Sequence, residues 1–219
     1  MAMTPAKRHK VRLLAKREAA ANAASGTMAD ATGYELMLAQ LAGHQRQLKE
    51  LQSIERKIEL KRQLLPEYLP YIEGVLEGKA GVQDDVLMTL MVWAVDTGEL
   101  ALALRIGEYA LANGLQTPDR YARDTATLLA ELYADKALAG HDVDVDALMD
   151  VCELTSPHDM PDEVRAKVHK AIGLGLEQTS LESSLEHMQR AVQLHDRVGA
   201  KKDIERIERA IKNRGKNTP

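Results

Sequence analysis

The 219-residue chain contains no phenylalanine, one tryptophan (Trp93) and one cysteine (Cys152), and only 3% of it is aromatic. Each shortage excludes something. A protein that grips single strands by stacking bases on rings needs more of them than this. One cysteine rules out an internal disulfide and any multi-cysteine zinc site, and an intracellular setting fits best. No apolar run approaches the roughly 20 residues that a membrane span requires. The basic N-terminus is followed by no apolar segment, so it does not read as a secretory signal. Runs of β-branched residues are scarce, and no alternating strand pattern survives anywhere.

What the chain does have is Ala, Leu, Glu, Lys, Arg and Met, the composition of helices, and 45% hydrophobic residues, enough to bury a real core. The expected fold is all-α. The net charge of −4 conceals a segregation: residues 1–65 carry 12 Lys/Arg against 6 Asp/Glu, residues 66–163 carry 5 against 20, and residues 164–219 carry 12 against 7. Such asymmetry points to a polyanionic partner for the ends.

Three regions are expected. Residues 1–33 form a basic arm and a flexible linker. In TPAKRHKVRLLAKR six cations, Lys7, Arg8, Lys10, Arg12, Lys16 and Arg17, precede the first acid, Glu18. The apolar face is thin, so the arm is expected to become helical on its partner. If all six met phosphates, the logarithmic salt slope of DNA binding would be about −5, from roughly −0.9 per phosphate. The plain alternative is a solubilising tail. The stretch AANAASGTMADATG that follows is small and polar and reads as the linker.

Residues 34–65 are expected to form one long, coiled-coil-like helix of roughly 48 Å. Leu41, Leu48, Leu51, Ile54, Ile58 and Leu65 fall on one narrow stripe. A stripe of this kind asks for a partner helix, and the first five are the candidate oligomerisation residues. Glu55 and Arg62 interrupt the strict heptad, which favours short packing over a long dimeric coil. Pro66 and Pro70 are expected to break the helix.

Residues 66–219 then read as a compact domain of about seven short helices with an acidic centre and a basic C-terminal helix. QDDVLMTLMVWAVDTG, apolar nearly all round, is expected to be a buried central helix capped by its acids. The next helix ends at Asn113-Gly114, and another is expected to start at Asp119.

HDVDVDALMDVCE (141–153) crowds five carboxylates together. Acids at loop positions 1, 3, 5, 9 and 12 match much of a calcium loop, but Ala147 stands where that loop needs glycine. The favoured reading is a helix start, with an aspartate capping free backbone N–H groups. No catalytic or metal-binding residue is assigned, and no cofactor is expected. G-x-x-x-x-G-K-[ST] and G-x-S-x-G are both missing, and the seven histidines are scattered.

Several segments together resemble the small terminase subunit of peduovirus-type tailed phages, a family also labelled terminase endonuclease subunit. They are YELMLAQLAGHQRQLKELQSIERKIELKRQLLPEYLPYIEGVL, QDDVLMTLMVWAVDTGELALALRIGEYALANGL, MPDEVRAKVHKAIG and DRVGAKKDIERIERAI, and TPAKRHKVRLLAKREAA is similar to the family's start. The resemblance implies recognition of the packaging site (cos) on concatemeric double-stranded phage DNA. It also implies assembly into oligomers, often rings, and hand-over to a large subunit that holds the ATPase and nuclease, all in the host cytoplasm and with no membrane. Two other readings stay open. One is a metal-dependent cos endonuclease using Asp142–Glu153. The other is a tetratricopeptide-like adaptor that binds protein only, although the spacing of the similar helix pairs, about 85 residues, is not the regular period.

Overall fold

In the computed structural model, which describes residues 3–24, 28 and 32–216, Thr4 and Pro5 start the first helix. The Thr4 hydroxyl accepts from the Lys7 N–H at 3.3 Å, and Pro5 occupies the first turn, where no N–H is missed. This helix, α1 (Pro5–Ala21), is followed by α2 (Thr32–Glu50), α3 (Ile54–Gly78), α4 (Asp85–Thr97) and α5 (Leu100–Ala112). Then come α6 (Thr125–Leu138), α7 (Val145–Thr155), α8 (Asp162–Leu176), α9 (Leu181–Leu194) and α10 (Lys201–Lys216). Among the described residues there is no β-strand, so the fold is all-α. None of these helices is long and apolar enough to cross a membrane. The chain divides into two compact units, Met1–Thr125 and Ala126–Pro219.

The first unit departs from expectation in three places. The basic stretch is no loose arm: α1 packs along α3. Ala15 and Ala19 are buried, and they face Gly74 and Gly78, which are likewise spaced four apart. With no Cβ in the way, the two backbones approach closely, as small residues allow wherever helices cross. Glu18 adds a polar anchor. Its carboxylate accepts from the N–H groups of Gly33 (2.8 Å) and Tyr34 (3.1 Å), so α1 satisfies donors in the first turn of α2. The expected linker lies partly outside the described residues, but Met28 within it is only 1% exposed, buried with Ala19 and Val82.

The single helix expected over 34–65 is two helices. Leu51-Gln52-Ser53 is non-helical, and the Ser53 hydroxyl caps α3 by accepting from Arg56 N–H at 3.3 Å. The apolar spacing runs on in the sequence across the break, which is why periodicity alone misses it.

Pro66 and Pro70 lie inside α3 and do not end it. They are four residues apart, hence on one side of the helix, and both line the groove beside α1. The helix continues because tertiary packing outweighs the lost backbone hydrogen bonds. Only the local propensity of proline argued for a break.

The core of this unit is α4, whose residues from Val86 to Val95 are all buried. Asp84 caps it, accepting from Leu87 N–H at 2.8 Å and from the Tyr71 hydroxyl at 2.5 Å. Asp84 is fully buried, and desolvation outweighs these hydrogen bonds, pushing its pKa up to about 6 from 3.8. A carboxyl whose folded pKa is raised favours the fold most below its unfolded value, and that contribution is lost as pH rises through the folded value. Between pH 6 and 4, therefore, the chain is expected to gain stability relative to an Asp84→Asn variant, by up to about 3 kcal/mol at 1.36 kcal/mol per unit. Urea unfolding of both proteins at pH 7 and pH 4.5 checks this; a pH-independent difference would contradict it.

In the second unit α8 and α9 pack as a hairpin, helped by the Ser184 hydroxyl donating to Gly173 O at 2.6 Å. Ile207 of α10 joins Leu181, Met188 and Ala200 in a buried cluster. Lys167 of α8 reaches Asp135 (2.8 Å) and Glu131 (3.6 Å) of α6. The helix expected to begin at Asp119 begins at Thr125, because residues 113–124 form turns.

Candidate nucleic-acid interface

Docking on α3 sorts the six sequence-predicted cations into two groups. Arg12 and Lys16 lean on α3: Arg12 Nε lies 3.7 Å and Lys16 Nζ 3.6 Å from the two oxygens of Glu77. Lys7, Arg8, Lys10 and Arg17 are exposed and make no ion pair among the described residues. Lys10 and Arg17, seven apart, share a face turned from α3, whereas Arg8 and Arg12 sit four apart on the α3 side. Arg8, His9 and Arg12 line one wall of a groove of about 260 Å³ whose other wall is Pro66, Leu69, Pro70 and Glu73. Within it Arg12 Nε is buried and lacks a hydrogen-bond acceptor. The cations from Lys7 to Arg17 span roughly 15 Å of helix. They are spread round most of the circumference, so a duplex lying on one side cannot touch all six.

The apolar stripe is divided as well. Leu41 and Leu48 are 2% and 8% exposed, used inside their own unit, while Leu51 and Ile58 are half-buried. Ile54 is 74% exposed, at the first turn of α3. Nearby, His44 is a packing residue: its Nδ1 lies 2.7 Å from the Tyr68 hydroxyl, and Tyr68 meets Trp93 edge-on. Burial lowers the His44 pKa, and Glu67 opposes that shift.

In the second unit the acidic run is a helix start. Asp144 is the N-cap of α7, and its carboxylate accepts from Asp146 N–H at 3.2 Å. No three His, Cys, Asp or Glu side chains among the described residues converge as metal ligands. One pairing was not visible in the sequence. His169 and His187 bring their Nδ1 atoms to 3.1 Å, and burial, with His187, Arg190 and Arg165, pushes His169 down to about 4. The two residues are 18 apart on separate helices, so no local pattern could reveal them.

Comparison with known proteins supplies the decisive observation. The family model described as "Phage small terminase subunit" matches residues 38–163. The chain belongs to the phage small terminase subunit family. It is similar to a protein named "Terminase, endonuclease subunit" from Escherichia phage P2, with 45% identity over 221 residues, covering 99% of this chain and 89% of that one. No solved structure matches. The family match runs from within α2 to the start of α8. It leaves α1 outside, while the P2 terminase protein is similar over nearly the whole chain, α1 included.

Proposed function

We propose that this terminase chain binds the cos packaging site on concatemeric phage DNA, assembles into an oligomer and recruits the large terminase subunit, which cleaves and packages the genome. The observation that carries the reading is α1: a helix packed on a folded scaffold that offers Lys7, Arg8, Lys10 and Arg17, exposed and without an ion pair among the described residues. Because the helix is already ordered, meeting phosphates costs side-chain freedom but no folding of the backbone. Four such contacts give a logarithmic salt slope of about −3.6.

An oligomer multiplies these modest contacts through effective concentration. The contact between copies is assigned to the junction of α2 and α3, with Ile54 at its centre and Leu51 and Ile58 beside it. Leu41 and Leu48, buried within their own unit, take no part in that contact. The acidic middle of the chain repels DNA and remains for the large subunit.

The mass of the protein in solution, free and with a cos duplex, tests this reading. Wild type is expected as a discrete multimer in both states, and Ile54→Asp as a smaller species with weaker DNA binding. A wild-type monomer that stays monomeric on DNA would overturn it.

The name of the P2 relative favours a second reading, in which the chain itself cuts. Nicking of a cos duplex by this chain alone with magnesium, lost in Asp144→Asn, would establish that reading.

A further inference from the structure

Residues 66–163 hold only five cations, Lys79, Arg105, Arg120, Arg123 and Lys136. Arg120 donates to the Thr89 hydroxyl and lies over the Tyr121 ring, and Arg123 and Lys136 take part in contacts of their own. Lys79 and Arg105 are the two that are exposed and make no hydrogen bond or ion pair among the described residues. They are 26 residues apart, yet they line the same open recess of about 450 Å³, with Glu108, Tyr109 and Asn113.

Their positions are fixed relative to each other. The Gly81 N–H donates to the Tyr109 hydroxyl at 2.9 Å, which ties the loop after Lys79 to the α5 face that carries Arg105 four residues earlier. Asn113 lies so close under Gly81 that a Cβ there would stand 2.5 Å from its Oδ1. Lys79 itself adopts a left-handed backbone conformation (φ 50°, ψ 30°) at the end of α3. Glycine is the residue that ordinarily closes a helix in this way, so a lysine here is held against its local preference.

Gly78, which precedes Lys79, packs against α1. Lys16 O lies 3.2 Å from where a Cβ on Gly78 would stand, and Ala19 packs with Val82 and Ala80 in the loop that Lys79 opens. Carboxylates in this neighbourhood include Glu77, which already faces Arg12 and Lys16, Glu108 at the rim of the recess, and buried Asp84, whose charge acts on Tyr109.

We infer that Lys79 and Arg105 form a second phosphate-contacting surface, separate from the cations of α1, that holds the duplex backbone. This rests on the DNA-binding reading above and extends it to two residues inside the acidic segment. A strongly acidic segment that keeps two exposed cations side by side, with no ion pair among the described residues, fits a polyanion.

The test is a Lys79→Gly/Arg105→Gln double variant in the full-length protein, measured for affinity to a cos duplex across 50–200 mM salt. Glycine relieves the left-handed backbone and glutamine suits the exposed helix, so the thermal midpoint is expected to stay level or rise. The salt slope is expected to become shallower by about 1.8, with weaker binding at the low-salt end. An unchanged slope and affinity, alongside a weakened Lys7/Arg8/Lys10/Arg17 variant, would overturn this inference alone. Wild type with no salt-dependent binding would overturn the DNA reading and this inference together. Unaltered DNA binding with lost binding of the large subunit would reassign the surface to an acidic protein segment and overturn the phosphate assignment.

Discussion

Changing Lys7, Arg8, Lys10 and Arg17 together to glutamine is expected to remove most of the salt sensitivity of DNA binding. These four contacts, with those of Lys79 and Arg105, predict an affinity loss of about 10³-fold between 50 and 200 mM salt, and the two that remain predict about tenfold. The variant should fold normally, because the four side chains are exposed and make no ion pair among the described residues. Glutamine is also close to lysine and arginine in helix propensity. The contrast with Arg12→Gln/Lys16→Gln is informative. Those two cations already face Glu77, so their removal frees a carboxylate as well as deleting charge. The slope then falls by less than two full contacts. Fluorescence anisotropy of a labelled cos duplex, titrated at four salt concentrations, measures all three proteins. Parallel slopes for wild type and the quadruple variant would mean that α1 does not meet the phosphates.

The second large effect concerns how α1 is held. A Cβ on Gly74 would stand 2.3 Å from Arg12 O and 2.8 Å from the Ala15 Cβ. The nearest obstacle is backbone, which cannot rotate aside, so α1 and α3 must separate. Overpacking of this kind costs about 1–3 kcal/mol. Separation also pulls Glu18 from the first turn of α2. Gly74→Ala is thus expected to destabilise the first unit by about 2–3 kcal/mol and to abolish hydrogen-exchange protection of α1. Gly78→Ala is the control. Its Cβ would meet Ala19 Cβ at 3.1 Å and Lys16 O at 3.2 Å, a crowding that a shift of a few tenths of an ångström relieves. Urea unfolding and hydrogen exchange of the two variants should separate clearly. Equal, small effects would show that α1 is not packed along Gly74.

The fold class and the buried helix α4 were readable because their signals are local and strong: apolar residues on every side of residues 86–95, with acids at the start. The helix start at Asp144 was readable for the same reason. The docking of α1 was not. Ala15, Ala19, Gly74 and Gly78 carry almost no hydrophobic signal, and their value lies in the side chains they lack. The stripe from Leu41 to Ile58 was correctly seen as apolar, but periodicity shows only that a face is covered, not by what. Leu41 and Leu48 are covered within their own unit, and Ile54 is not. Ser53 is hidden in the sequence because a cap between two helices need not interrupt the apolar spacing. Lys79 and Arg105 were hidden by averaging: a block with 20 acids and 5 bases reads as acidic, although the fold sets two of those bases side by side. Spatial pairing of residues 26 apart is a tertiary fact, and so is the contact of His169 with His187.

The most direct test is to photo-cross-link a cos duplex to the full-length protein and identify the attached peptides by mass spectrometry. Cross-links are predicted in α1 between Lys7 and Arg17, with a second group around Lys79 and Arg105. Attachment confined to residues 126–219, or none at all, would contradict the account.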